Sequence, residues 1–111
     1  MVAERLETMD PALVEAVRRL VEALRPERIY LFGSQARGEA TGGSDFDLLV
    51  VVPSSDEPPH RRAQRAYHVL WGVGVPLDVL VLTRGEFARQ APVVASLPAT
   101  VVREGRLLYA A

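Results

Sequence analysis

Three aspartates and one glycine–serine step are the residues in this chain whose types and spacing could do chemistry. Asp45 and Asp47 stand two apart in GSQARGEATGGSDFDLLVVV (33–52), directly ahead of an unbroken apolar run. On a strand, residues two apart project from the same face, about 6.5–7 Å apart along the backbone. Two carboxylates that close repel each other unless a cation lies between them. Asp78 is the third, a lone charge in VPLDVLVL (75–82). An unpaired buried carboxylate is costly, so that strand predicts an arginine or a metal beside it. If the two aspartate-bearing strands are neighbours, the three carboxylates form one nest. All-oxygen, acidic ligation suits Mg²⁺, and an incomplete shell leaves positions for water and substrate phosphates.

Gly33 and Ser34 supply the complementary half. Glycine lets the backbone turn tightly and approach a ligand, while Ser34 and the first N–H groups of a following helix would point at an anion. Arg37, one turn into that helix, could add positive charge. Gly33 ends one strand and Asp45 begins the next, so both reach the same rim only if those strands run antiparallel.

The elements that must position these groups are legible in the apolar periodicity. Asp10-Pro11 is an N-cap and first helical position, and Leu13, Val17, Leu20, Val21 and Leu24 follow helical spacing, predicting a helix over 10–25. RIYLF (28–32) reads as a first strand, with a short helix expected over 34–38. FDLLVVV (46–52) is apolar on both alternating faces and predicts a strand covered on both sides. After the PSSDEPP loop come a helix over 60–71, the strand 75–82, a short helix opened by the Thr83/Glu86 capping box, a helix over 93–103 and an edge strand over 106–109. The fold expected is one α/β (α+β) domain spanning 1–111, with a small mixed sheet of three to four strands flanked by helices.

Composition narrows the chemistry. The chain of 111 residues has a formal net charge of -1, contains no cysteine or lysine, and draws all 13 basic residues from arginine. Thiol nucleophiles, zinc thiolates, Schiff-base lysines and Walker A loops are excluded. No global field attracts nucleic acid, so direct binding to it is not expected. No apolar run approaches the ~18 residues of a membrane span, and cytoplasmic localisation is the expectation.

The combination G-S-x-A-R-G, S-D-x-D-L-L-V and a later strand with a single aspartate resembles the nucleotidyltransferase superfamily of the DNA polymerase beta type, above all its minimal nucleotidyltransferases. The resemblance extends over nearly the whole chain. It implies the nucleotidyltransferase fold and an enzyme that transfers a nucleoside monophosphate to a hydroxyl, AMP from ATP before any other. Gly33, Ser34 and Arg37 would hold the triphosphate. Asp45, Asp47 and Asp78 would hold one or two Mg²⁺ ions, and Asp78 would also take the proton from the attacking hydroxyl. It further implies a helical HEPN-domain partner, commonly the toxin of a toxin–antitoxin pair, with a tyrosine as acceptor. The alternatives are a catalytically idle antitoxin or nucleotide-binding module, and transfer to a small molecule such as an aminoglycoside, for which a homo-oligomer could build the pocket.

Plainer readings stand beside these. Asp45 and Asp47 could be a solvated turn, and Asp78 could pair with Arg28 or Arg37. Arg61, Arg62 and Arg65 read as a solvated helix face, Tyr67 and Trp71 as core, and GVG (72–74) as a turn. His60 and His68 lack a third ligand of matching kind.

Overall fold

A computed structural model of the chain describes residues 10–33 and 46–111. The expected helix over 34–38, together with Ser34, Arg37 and Asp45, lies outside the described residues.

Helix α1 (Pro11–Leu24) starts where the Asp10 carboxylate accepts the Ala12 N–H at 2.8 Å, with Pro11 in the first turn. It ends at Arg25, which closes the helix in the left-handed region (φ 48) just before Pro26. Strand β1 (Arg28–Phe32) and strand β2 (Phe46–Val52) follow. Helix α2 (Pro59–Val69) leads through the Gly72–Gly74 turn to strand β3 (Leu77–Thr83). Thr83 then caps helix α3 (Arg84–Gln90) through the expected box, its hydroxyl accepting from the Glu86 N–H and the Glu86 carboxylate accepting from the Thr83 N–H. Helix α4 (Leu97–Glu104) and strand β4 (Arg106–Ala110) complete the chain.

The sheet order is β3-β2-β1-β4. β1 pairs antiparallel with both β2 and β4, while β2 pairs parallel with β3. The sheet is therefore mixed, as the shared rim of Gly33 and the aspartates required. α1 and α2 cover one face, where Leu13, Val17 and Leu20 meet Leu48, Val50 and Val81. α3 and α4 cover the other, where Phe87 and Val101 meet Tyr30, Leu49 and Val51. The double cover explains why Leu48 to Val52 are all buried.

The helix expected over 93–103 is shorter. Ser96 caps it by accepting the Ala99 N–H at 3.2 Å, and Pro98 sits in its first turn, so the preceding residues form turns instead. A serine cap followed by proline outweighed the apolar spacing of Val93 and Val94, which are exposed.

Arg62 is a second correction. It is 7% exposed, not on a solvated face. Its guanidinium donates to both carboxylate oxygens of Glu86 at 2.7 and 3.0 Å, to the Val81 carbonyl at 3.0 Å and to the Glu57 carbonyl at 2.9 Å. The planar fork thus joins α2, β3 and α3 through one buried side chain.

Removing one member of such a pair leaves the other without its compensating charge. Arg62→Leu is expected to lower the unfolding free energy by about 3 kcal/mol in chemical denaturation. The Arg62 guanidinium holds the Glu86 carboxyl at about 2, below its ordinary 4.5. Because the unfolded chain takes up this proton first as pH falls, the contribution is complete above pH 4.5 and is lost towards pH 2. Glu86→Gln is expected to flatten that part of the stability–pH curve, measured by thermal melts across the acid range.

Candidate active site

The site is built where β1 ends and β2 and β3 begin. In the antiparallel ladder Phe32 faces Asp47, and in the parallel ladder Asp47 faces Asp78. Residues paired across neighbouring strands share a face, so both carboxylates project on the α3/α4 side, one strand spacing apart at about 5 Å. Behind them on that face lie the buried Leu49 and Val51 of β2 and Leu82 of β3. The aspartates therefore mark the point where an apolar double-covered sheet opens to solvent.

Gly33 follows Phe32 and adopts φ 76, a left-handed conformation that glycine takes without a Cβ penalty. A Cβ at this position would overlap the Asp47 Oδ2 and lie 3.2 Å from the Asp47 Cγ. The glycine is thus required twice, by its backbone angle and by the carboxylate seated against it. Asp47 itself is half-buried.

Asp78 departs from its expected setting. It is exposed, not buried, because it stands at the second position of β3, before the strand passes beneath α3. Its described partner is neither Arg28 nor a second acid. The Tyr67 hydroxyl donates to Asp78 Oδ1 at 2.7 Å and accepts the Val79 N–H at 3.0 Å. Arg28 instead lies at the far end of β1, its guanidinium 4.7 Å from the Phe87 ring centre and donating to the Tyr30 hydroxyl.

Tyr67 is the residue that reading the sequence missed. Its apolar spacing on α2 fits core, yet Tyr67 is 43% exposed and Trp71 86% exposed. The available signal was the hydroxyl: a tyrosine in the last turn of the helix that leads into the Asp78 strand presents a polar tip needing a partner.

The structure thus brings Gly33, Asp47 and Asp78 together. Two carboxylates on adjacent strands are a hard, all-oxygen donor set, which fits a divalent cation such as Mg²⁺ in part. Among the described residues no cluster of three or more acidic or histidine side chains could hold a metal. Asp45, the expected third acid, lies outside those residues.

The chain is similar to several known proteins over most of its length. A "Putative protein adenylyltransferase" of Methanocaldococcus jannaschii is 32% identical over 101 residues, covering 86% of this chain and 96% of its own length. A bifunctional uridylyltransferase/uridylyl-removing enzyme of Xanthomonas euvesicatoria is 29% identical over 111 residues; the chain spans only 12% of that enzyme's length. A crystal structure of a nucleotidyltransferase, named as putative, from Sulfolobus solfataricus superposes with a TM-score of 0.67 at 25% identity, over 96% of this chain and 85% of that one. Two toxin–antitoxin crystal structures share the fold, one with AMP-PNP (TM-score 0.55, 22% identity) and one of an MntA–HpeT mutant (0.54, 24%). Each matches 87% of this chain, and 73% and 71% of theirs. The family model for the nucleotidyltransferase domain matches residues 11–108, from the first residue of α1 into β4, and the chain belongs to that family.

Proposed function

We propose that this chain is a divalent-metal-dependent nucleotidyltransferase that moves AMP from ATP to a hydroxyl of a protein partner, a tyrosine of a HEPN-type toxin, and so acts as its antitoxin. The observation that carries the reading is the register that sets Asp47 opposite Asp78, with Gly33 packed against the Asp47 carboxylate. The adenylyltransferase relative supports the nucleotide, and the toxin–antitoxin likeness in fold supports the partner class.

In this reading Gly33 brings the backbone close to the triphosphate, and Ser34 and Arg37 complete the phosphate cradle. Asp45, Asp47 and Asp78 hold the cation. A bound Mg²⁺ supplies charge neutralisation along the triphosphate. Asp78, at the exposed end, accepts the proton of the acceptor hydroxyl. The hydroxyl oxygen then attacks the α-phosphorus, the new phosphate ester forms, and the bond to pyrophosphate breaks in line. The apolar strands behind Asp47 and Asp78 fix both carboxylates on rigid elements.

Incubation with α-labelled ATP, Mg²⁺ and a HEPN-type toxin encoded beside this chain's gene is expected to label that toxin. Asp47→Asn or Asp78→Asn should lower the transfer rate by about a hundredfold or more. Undiminished transfer by the double variant would remove the reading, and full protection of cells by that variant would assign a purely binding role.

Gly33→Ala separates geometry from stability. The alanine must hold a left-handed φ at a cost of about 1–2 kcal/mol and must also displace the Asp47 carboxylate. Gly72 has a similar φ of 81, and no atom lies within 4 Å of the place a Cβ would take, so Gly72→Ala carries the backbone cost alone. Both variants are expected to lose thermal stability, Gly33→Ala more than Gly72→Ala, with loss of transfer confined to Gly33→Ala.

A further inference from the structure

We propose that Tyr67 is a positioning residue for Asp78: it fixes which carboxylate oxygen is committed to the protein and which is presented to the cation and the entering hydroxyl. The inference rests on the nucleotidyltransferase reading above and assigns a role to a side chain that the family motifs do not include.

A phenol carries a single proton. The Tyr67 oxygen accepts the Val79 N–H at 3.0 Å, so its own proton is directed elsewhere, and Asp78 Oδ1 receives it at 2.7 Å. The polarity of the chain is thereby set by the backbone, running from Val79 N–H through the phenol to the carboxylate. Asp78 can only accept in this bond, which keeps Oδ1 engaged and leaves Oδ2 for other work.

The anchor is local. Val79 is the residue after Asp78, so the phenol bridges the carboxylate to the peptide group on its own strand. An exposed aspartate at a strand end otherwise samples several rotamers, and ordering it on arrival of a ligand costs conformational entropy. The phenol removes that cost in advance, as hydrogen-bonded supports of metal-binding carboxylates do. Tyr67 stands in the last turn of α2 and lines an open surface depression together with Leu70 and Leu77. Arg62 ties the same helix to β3 through the Val81 carbonyl.

Tyr67→Phe keeps the ring and removes only the hydroxyl. The full chain is titrated with Mn²⁺ in the presence of a non-hydrolysable ATP analogue by calorimetry, and transfer kinetics are measured in parallel. Tyr67→Phe is expected to weaken Mn²⁺ binding and to lower kcat by about tenfold each, with KM for ATP little changed. In an Asp78→Asn background the same substitution is expected to have no further effect on Mn²⁺ binding, because the two act as a unit. Additive losses, or an unchanged Tyr67→Phe protein beside an impaired Asp78→Asn protein, would overturn the positioning role. If Asp78→Asn alone leaves both Mn²⁺ binding and transfer intact, the nucleotidyltransferase reading of the site fails instead.

Discussion

The parallel register between β2 and β3 is the constraint on which the rest depends. Seven consecutive pairs run from Phe46↔Leu77 to Val52↔Thr83, and the second of them sets Asp47 beside Asp78. Side chains alternate along a strand, so a slip of one residue would move Asp78 to the α1/α2 face and bury a charge among leucines. The same slip would turn Val79 and Val81 away from the core that they share with Leu48 and Val50. Apolar burial therefore enforces the register, and the register delivers the carboxylates.

That pairing needs help because β3 is an edge strand, with β2 on one side and, among the described residues, no further strand on the other. Arg62 and Tyr67, one near the start of α2 and one near its end, take the Val81 carbonyl and the Val79 N–H. A helix that caps backbone groups of an edge removes part of the template on which another chain could pair. It also binds the middle of the strand, Val79 to Val81, to a second element. The Arg62 fork extends the connection to Glu86, whose carboxylate serves the Thr83 cap as well. One acidic side chain thus closes both the start of α3 and the end of β3.

Much of this was legible in the sequence. Doubly apolar FDLLVVV announced a strand covered on both faces, the Thr83/Glu86 spacing announced a cap, and the shared rim of Gly33 and the aspartates forced an antiparallel β1/β2 pair inside a mixed sheet. What escaped were side chains whose partners are distant in sequence. Arg62 looks solvated until Glu86, 24 positions away, is known to face it. Tyr67 looks like core because periodicity records the ring and is silent about the hydroxyl. Asp78 looked buried because its strand is apolar, and only the depth at which β3 enters the sheet leaves its second residue outside. Periodicity reports which face a residue takes; it carries no information on where along a strand the cover begins.

The end of the cover is what makes a chemical site possible here. Had β2 and β3 begun deeper under α3 and α4, Asp47 and Asp78 would each have needed a buried cationic partner, and the energetic gain of such a pair rarely exceeds its desolvation cost. Had they begun further out, two exposed carboxylates would have been mobile and heavily screened. Asp47 is half-buried with Gly33 against it, and Asp78 is exposed with Tyr67 bonded to it. Asp47 is seated against the backbone of Gly33, and Asp78, further out, is engaged by the Tyr67 hydroxyl. The ladder pair Asp47↔Asp78 thus holds the two carboxylates in a fixed relation to one another, on strands whose following residues are locked in the apolar core.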